Sequence, residues 1–466
     1  MISWLRNGVF ALAVAGLYSI ILVLLRTPGL NNFFSNPDIF KTALVIHVNL
    51  SVFVWLLAIT CVIWSISKVQ FGTEEIFAKL GCGAIVLMAL SPLLSGGKPI
   101  MNNYIPMLEN ISFTIGLCLF AVVILMFCVQ SIIGTLMQPR SLSYGARIIA
   151  ATKCTSALLF IGVWICFTLS YYGIDRLSEI VPLEIDYYYE MLFWSGGHLL
   201  QFIYTQIMMI SLIALVEVWK GGKINYPNIY EMLLWLNSVL ASFIFIGHIN
   251  YDVSDGQFKE FFTKHMIYTA GIAPTICIMV LLIELFQARK RHAPSFIAAS
   301  FLAAILLFLS GGLIGSAISG INVTIPAHYH GSIVGISIAF MGFTYLICFK
   351  AEIEQYLNSS NVANSSSVIS SMYETLSYGK GKWSGGHSSR VAARQIYVIL
   401  LGQLLHIAGL ALAGGYGVLR KTPGQELPFS AKFYMGMMGG GGLIAIIGGL
   451  MFVYICAKNL YQTHLK

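Results

Sequence analysis

His328 and His330 lie one residue apart in the run Ile-Pro-Ala-His-Tyr-His-Gly, at the start of an apolar stretch long enough to cross a bilayer. Positions i and i+2 on an α-helix point about 200° apart, so the two rings project from opposite faces. A helix that clasped one metal ion would place its histidines at i and i+4. An i, i+2 pair inside a membrane suits a helix wedged between two separate centres, offering one ligand to each. The alternative is a pair of polar residues at a helix end near the lipid headgroups.

The other histidines weigh on this choice. Of the ten, His292, His387 and His464 fall in polar connections or the tail and read as ordinary surface. The remaining seven sit within or at the ends of apolar stretches, where polar side chains are costly and usually functional. His47 lies a few residues into the second stretch, roughly 8 Å below its outer boundary. His248, in Phe-Ile-Gly-His-Ile-Asn, is near the outer end of the seventh, and His198, in Trp-Ser-Gly-Gly-His-Leu-Leu-Gln, is about a third of the way down the sixth. His328 and His330 open the tenth from the same side. Independent structural histidines have no reason to choose one leaflet, so this shared band points to a multi-metal cluster. His265, at the outer end of the eighth stretch, and His406, within the eleventh, read more readily as packing residues.

Ligand counting sharpens the pattern. His47 and one of the tenth-helix pair can clamp a haem iron from both sides, an arrangement suited to electron transfer. The other ring, facing away, can hold a second haem with its sixth position open, and His198 with His248 can set another metal over that open face. Such a chamber suits a small diatomic molecule. Imidazole accepts iron and copper alike, so ligand type does not choose the metal. Arg420 and Lys421, just outside the eleventh stretch on the same side, are cationic partners for haem propionates, or else anchors for a helix end among headgroups.

The elements that must position these groups follow from composition. Of 466 residues, 57% are hydrophobic and 10% charged, which places the chain among polytopic membrane proteins. Apolar runs begin near residues 8, 42, 76, 109, 148, 188, 230, 262, 295, 327, 394 and 432, predicting an all-α protein of twelve transmembrane helices in one membrane domain, 1–466. The first run lacks a small-x-small cleavage site and reads as a retained helix. With the N-terminus inside, the termini and even-numbered connections carry eighteen of the 27 basic residues, including Arg289-Lys290-Arg291, so both termini are expected on the cytoplasmic side of the inner membrane. The net charge of +8 reflects this asymmetry and gives no reason to invoke nucleic acid. Residues 351–393, rich in Ser, Asn and Gly, read as a flexible cytoplasmic loop between the tenth and eleventh helices. The nine cysteines form no Cys-x-x-Cys, no Cys-x-x-Cys-His and no Cys-x-x-x-Cys, which argues against a zinc knuckle, covalent haem attachment and a dinuclear copper domain.

Taken together, these residues resemble subunit I of the haem–copper oxidase superfamily, which includes oxygen reductases and nitric oxide reductases. The resemblance covers nearly the whole chain and rests on His47, Gly197-His198, His248, His328-Tyr329-His330 and Arg420-Lys421 in their order along twelve spans. It implies a subunit I-like bundle, with His47 and His330 on a low-spin haem and His328 on a high-spin haem. His198 and His248 match positions that bind the non-haem metal, copper or iron. It also implies catalysis at His328, His198 and His248, a membrane-lipid setting, and electrons from a partner subunit, cytochrome c or quinol. With no covalent attachment motif, b-type haem is the default.

Several positions depart from the family pattern. A second histidine beside His248 is replaced by Gly247 and Ile249, leaving Asp252 or His265 as candidate third ligands. Phe202 stands where many oxygen-reducing members carry a tyrosine cross-linked to the sixth-helix histidine. Leu200 replaces a proton-path glutamate, Gln201 is a neutral neighbour, and no Lys is expected within the eighth helix. No carboxylate is evident at mid-membrane, so a strongly proton-pumping oxidase is not expected. NO reduction takes two electrons and two protons and breaks no O–O bond, and it fits these departures better than O2 reduction. An O2 reductase, an inactive haem-binding homologue and a proton-relaying transporter remain the alternative expectations.

Overall fold

The computed structural model describes residues 1–26, 37–66, 69, 71–94, 96–138, 142–288, 293–359, 366–376, 387–420 and 427–461. Among them, twelve helices are long and apolar enough to cross a membrane. In chain order they are Ile2–Leu25, Asp38–Trp64, Glu74–Leu94, Ile111–Leu136, Tyr144–Ser178, Ile185–Trp219, Pro227–Asn250, Gly256–Gln287, Ser295–Ser316, Thr324–Cys348, Ser388–Gly415 and Phe429–Leu460. Each begins within a turn or two of the start expected from apolar patterning. Large apolar side chains such as Leu136, Ile249, Phe286 and Phe429 stand exposed on them, as an integral membrane protein requires of surfaces that meet lipid.

The chain divides into two compact units, a finer division than the single membrane domain expected from sequence. The first comprises Met1–Gly8, Phe53–Arg289 and Val362–Tyr378; the second comprises Val9–Val52, Lys290–Asn361 and Gly379–Lys466. Each is built around one central helix. In the first unit the sixth span is buried along nearly all of its length and packs against the fifth, seventh and eighth. In the second the tenth span takes that role, between the ninth and eleventh. There the ninth and tenth backbones touch at paired glycines: a Cβ on Gly331 would fall 2.6 Å from the Gly311 Cα. Small residues at a helix crossing permit this approach, which packs the membrane interior without a hydrophobic driving force.

Three spans are irregular near histidines. The second changes to a π-helical turn at Asn49–Val54, two residues after His47. The seventh breaks after Ser242 and resumes as Phe245–Asn250, which carries His248. The eighth consists of Gly256–Thr269 and Ile272–Gln287. It starts before residue 262 and includes Lys259 as well as Lys264, which lies inside the run itself, correcting the expectation of a lysine-free eighth helix. Its first turns are too polar to register as an apolar stretch.

The flexible loop expected over 351–393 is also corrected in part. Its described residues include the helices Lys350–Ser359 and Val368–Thr375. The second is held by a buried carboxylate: Glu217 accepts hydrogen bonds from the Val368 N–H (3.2 Å), the Ile369 N–H (2.9 Å) and the Tyr144 hydroxyl (2.9 Å). Ser367 caps the helix, its hydroxyl oxygen accepting from the Ser370 N–H at 2.9 Å. Val368, Ile369, Met372 and Tyr373 are buried at helical spacing that the surrounding Ser and Asn conceal.

Candidate functional site

In the second unit, two histidines share one device. The Nδ1–H of His47 donates to the Ala15 carbonyl at 3.0 Å, and that of His328 donates to the Gly311 carbonyl at 2.7 Å. A carbonyl can only accept, so Nδ1 carries the proton and Nε2 keeps the lone pair. This second-shell bond orients ring and tautomer in ligating histidines and raises the basicity of the other nitrogen. The His328 ring packs against the ninth span, where a Cβ on Gly315 would come within 2.6 Å of its Nδ1. His330 stands two positions on, and its ring meets that of His406 edge-on at 4.7 Å. His406 is itself fixed by its Nδ1–H, which donates to the Met438 carbonyl at 2.9 Å.

Arg420 is positioned by strand-like pairing. The Val323 N–H donates to the Val418 carbonyl at 2.9 Å, and Asn322 bridges Leu419. This ties the segment after the eleventh span to the start of the tenth, so Arg420 lies in sequence next to a pairing that abuts the helix of His328 and His330. Lys421 lies outside the described residues.

The first unit treats its histidines differently. His198 is buried, and its Nδ1–H donates to the Trp194 carbonyl at 2.7 Å. The Tyr104 hydroxyl lies 2.9 Å from both ring nitrogens. The hydroxyl thus stands against the imidazole ring, off the in-plane axis of either nitrogen. Trp194 stands 5.0 Å from the His198 ring and Phe262 stands 5.7 Å away. Phe262 also packs 5.7 Å from the ring of His248, whose Nε2 is buried without a hydrogen-bond partner. His265 donates from Nε2 to the Leu240 carbonyl at 2.8 Å, packs on Phe202 at 5.4 Å, and leaves Nδ1 unpartnered. Asp252 is exposed in the connection between the seventh and eighth spans.

Two implied cofactor sites thus give different answers. The haem ligands fit: His47 and His328 present the tautomer that ligation needs. The non-haem metal does not fit. Among the described residues no three His, Cys, Asp or Glu side chains come together as a metal site, Phe262 packs against both His198 and His248, and neither Asp252 nor His265 joins them.

Residues that sequence reasoning missed include Tyr104 and Lys153. Lys153 is buried on the fifth span, and its Nζ donates to the Ile66 carbonyl at 3.0 Å. A charged residue within the apolar run Ala-Ala-Thr-Lys-Cys-Thr was its signal. Tyr104 had an indirect one: Gly196-Gly197 before His198 marks a place where other groups press close. A Cβ on Gly197 would fall 2.2 Å from the Tyr104 Cγ, and one on Gly196 would fall 2.3 Å from the Phe167 Cε1.

The fold is that of a haem–copper oxidase subunit. A heme-copper terminal oxidase solved by cryo-EM as a dimer superposes with a TM-score of 0.65 over 100% of this chain and 84% of its own, at 14% identity. No protein-family model matches the chain. An uncharacterized protein of Rickettsia prowazekii (strain Madrid E) is 40% identical over 98% of this chain and 95% of its own length. An uncharacterized protein of Aquifex aeolicus (strain VF5) is 27% identical over 74% of the chain and 83% of its own. The chain belongs to the family of the Rickettsia protein.

Proposed function

We propose that the chain is the catalytic subunit of a respiratory membrane reductase of a diatomic gas, with nitric oxide favoured over oxygen. His47 and His330 would hold a low-spin haem between them and His328 a high-spin haem, both b-type, with Arg420 and Lys421 serving the propionates. When bound, these groups supply one-electron transfer and an open iron position for a diatomic ligand. The observation that carries the reading is the carbonyl bond made by Nδ1 of both His47 and His328. It holds each ring in one orientation and keeps Nε2 basic without adding a charge to the membrane interior. The i, i+2 spacing then sends His328 and His330 to opposite faces of one helix.

The preference for nitric oxide rests on what the sixth span omits. Phe202 and Leu200 supply neither a phenol nor a carboxyl group, and the two-electron reduction of NO needs no O–O cleavage. One observation favours oxygen as a second reading: Tyr104 places a phenol hydroxyl on His198. Electrons would come from quinol or a cytochrome partner, and the chain would lie in the inner membrane with both termini cytoplasmic.

Reduced-minus-oxidised optical spectra of the purified protein, with and without CO, test this reading. A low-spin band and a separate CO-binding haem are expected, and His47→Ala should remove the first. A preparation without haem would sink the proposal. Parallel NO and O2 consumption assays decide between the gases.

A further inference from the structure

Away from the histidines, the first unit carries a groove between two of its spans. The fifth and seventh spans begin at the same membrane face and pack against each other. Near those beginnings Arg147 and Glu231 form an ion pair at 3.8 Å, and the Arg147 guanidinium also donates to the Asn228 side-chain oxygen at 2.9 Å. The pairing does not seal either charge, since the two side chains are 44% and 31% exposed. A guanidinium has five N–H donors and a carboxylate about four acceptor sites, so each keeps capacity for a further partner.

Inward from the pair runs an apolar trough of about 220 Å3. On the fifth span Ala150, Ala151 and Cys154 follow Arg147 at i+3, i+4 and i+7. That spacing puts all four on one helix face and makes the floor about 10 Å long. On the seventh span Trp235 follows Glu231 at i+4 and stands exposed as the opposite wall. Tryptophan in this position, just below a charged pair, has the depth of the aromatic belt that borders lipid headgroups. The trough is smaller than the roughly 300–1,000 Å3 of sites that enclose drug-sized ligands. Its shape suits a single chain of methylenes.

Charge complementarity selects the headgroup. A phosphate alone would meet Arg147 but be repelled by Glu231 beside it. A headgroup that carries both a phosphate and a primary ammonium satisfies the pair: phosphate oxygens accept from the guanidinium, and the ammonium donates to the carboxylate. We propose that this groove binds a phosphatidylethanolamine molecule, with its headgroup on Arg147 and Glu231 and an acyl chain along Ala150, Ala151 and Cys154. This goes beyond the proposed function and does not depend on haem.

Native mass spectrometry of delipidated full-length protein, titrated with single phospholipids, tests the site. Phosphatidylethanolamine should give a saturable adduct tighter than phosphatidylglycerol, which has no ammonium, and phosphatidylcholine, whose ammonium has no N–H. Arg147→Gln should weaken that adduct about fivefold, and Glu231→Gln should erase the preference over phosphatidylglycerol. Ala150→Phe, which fills the trough from a half-buried position, should weaken the adduct while leaving the ion pair in place. Equal binding of the three lipids, or a preference for phosphatidylethanolamine that survives Glu231→Gln, would overturn the inference.

Discussion

The histidines of the two units begin alike and end differently. His47 and His328 in one unit, and His198 in the other, each donate Nδ1–H to a backbone carbonyl. What separates them is what surrounds the rest of the ring. For His47 and His328 no hydrogen bond to Nε2 is found among the described residues; in the first unit the Tyr104 hydroxyl stands against the His198 ring, 2.9 Å from both nitrogens, and aromatic rings crowd His248 and His265. The two units thus share residue type and the first hydrogen bond and differ in the surroundings of the ring.

The comparison breaks most sharply at His328. His328→Ala should abolish CO binding completely while leaving the low-spin band intact, as read from CO difference spectra. Equal loss of both bands would mean that His328 serves the fold rather than one haem. Next in size is Phe262→Ala in the first unit. Removing a fully buried phenylalanine costs about 3–5 kcal/mol, visible as a lowered unfolding midpoint in detergent. The haem bands of folded protein should be unchanged, because the residue packs on His198 and His248, which are not the expected haem ligands. Loss of those bands would contradict the separate roles.

Gly315→Ala tests the seat of His328 more gently. The new Cβ would meet the imidazole at 2.6 Å, and overpacking of this kind costs about 1–3 kcal/mol. Weakened CO binding with a preserved low-spin band is expected. Gly312→Ala is the control, since a Cβ there meets nothing within 4 Å; a matching loss in the control would show that the helix, not the histidine contact, is sensitive.

Sequence alone reached the twelve spans because an apolar run long enough to cross a bilayer has few other uses. It singled out His47, His198, His248, His328 and His330 as candidates because a polar side chain stands out against such runs. It failed where position depends on tertiary contact. Tyr104 lies 94 residues before His198 in a polar connection, and no periodicity links such a connection to a helix flank. The third metal ligand sought at Asp252 or His265 was an extrapolation from spacing; Phe262, a residue with no chemical signal, instead packs against both His198 and His248. Val368–Thr375 was hidden by its Ser-rich neighbours and is secured by Glu217, a residue 151 positions away from Val368.

The smallest expected effect is also the most specific. Tyr104→Phe removes the hydroxyl that stands against the His198 ring and little else, since the phenyl ring can keep its place over Gly197. A single polar contact of this kind contributes about 0.5–1.5 kcal/mol net. A cycle of Tyr104→Phe, His198→Phe and the double variant isolates the term, because residues in contact couple where distant ones add. Coupling on the order of 1 kcal/mol in detergent unfolding, with unaltered haem bands in every variant, is the outcome that fits a hydroxyl acting on the His198 ring. Strict additivity would mean that the hydroxyl does not act on His198. The two units would then differ only in the phenylalanines around their histidines.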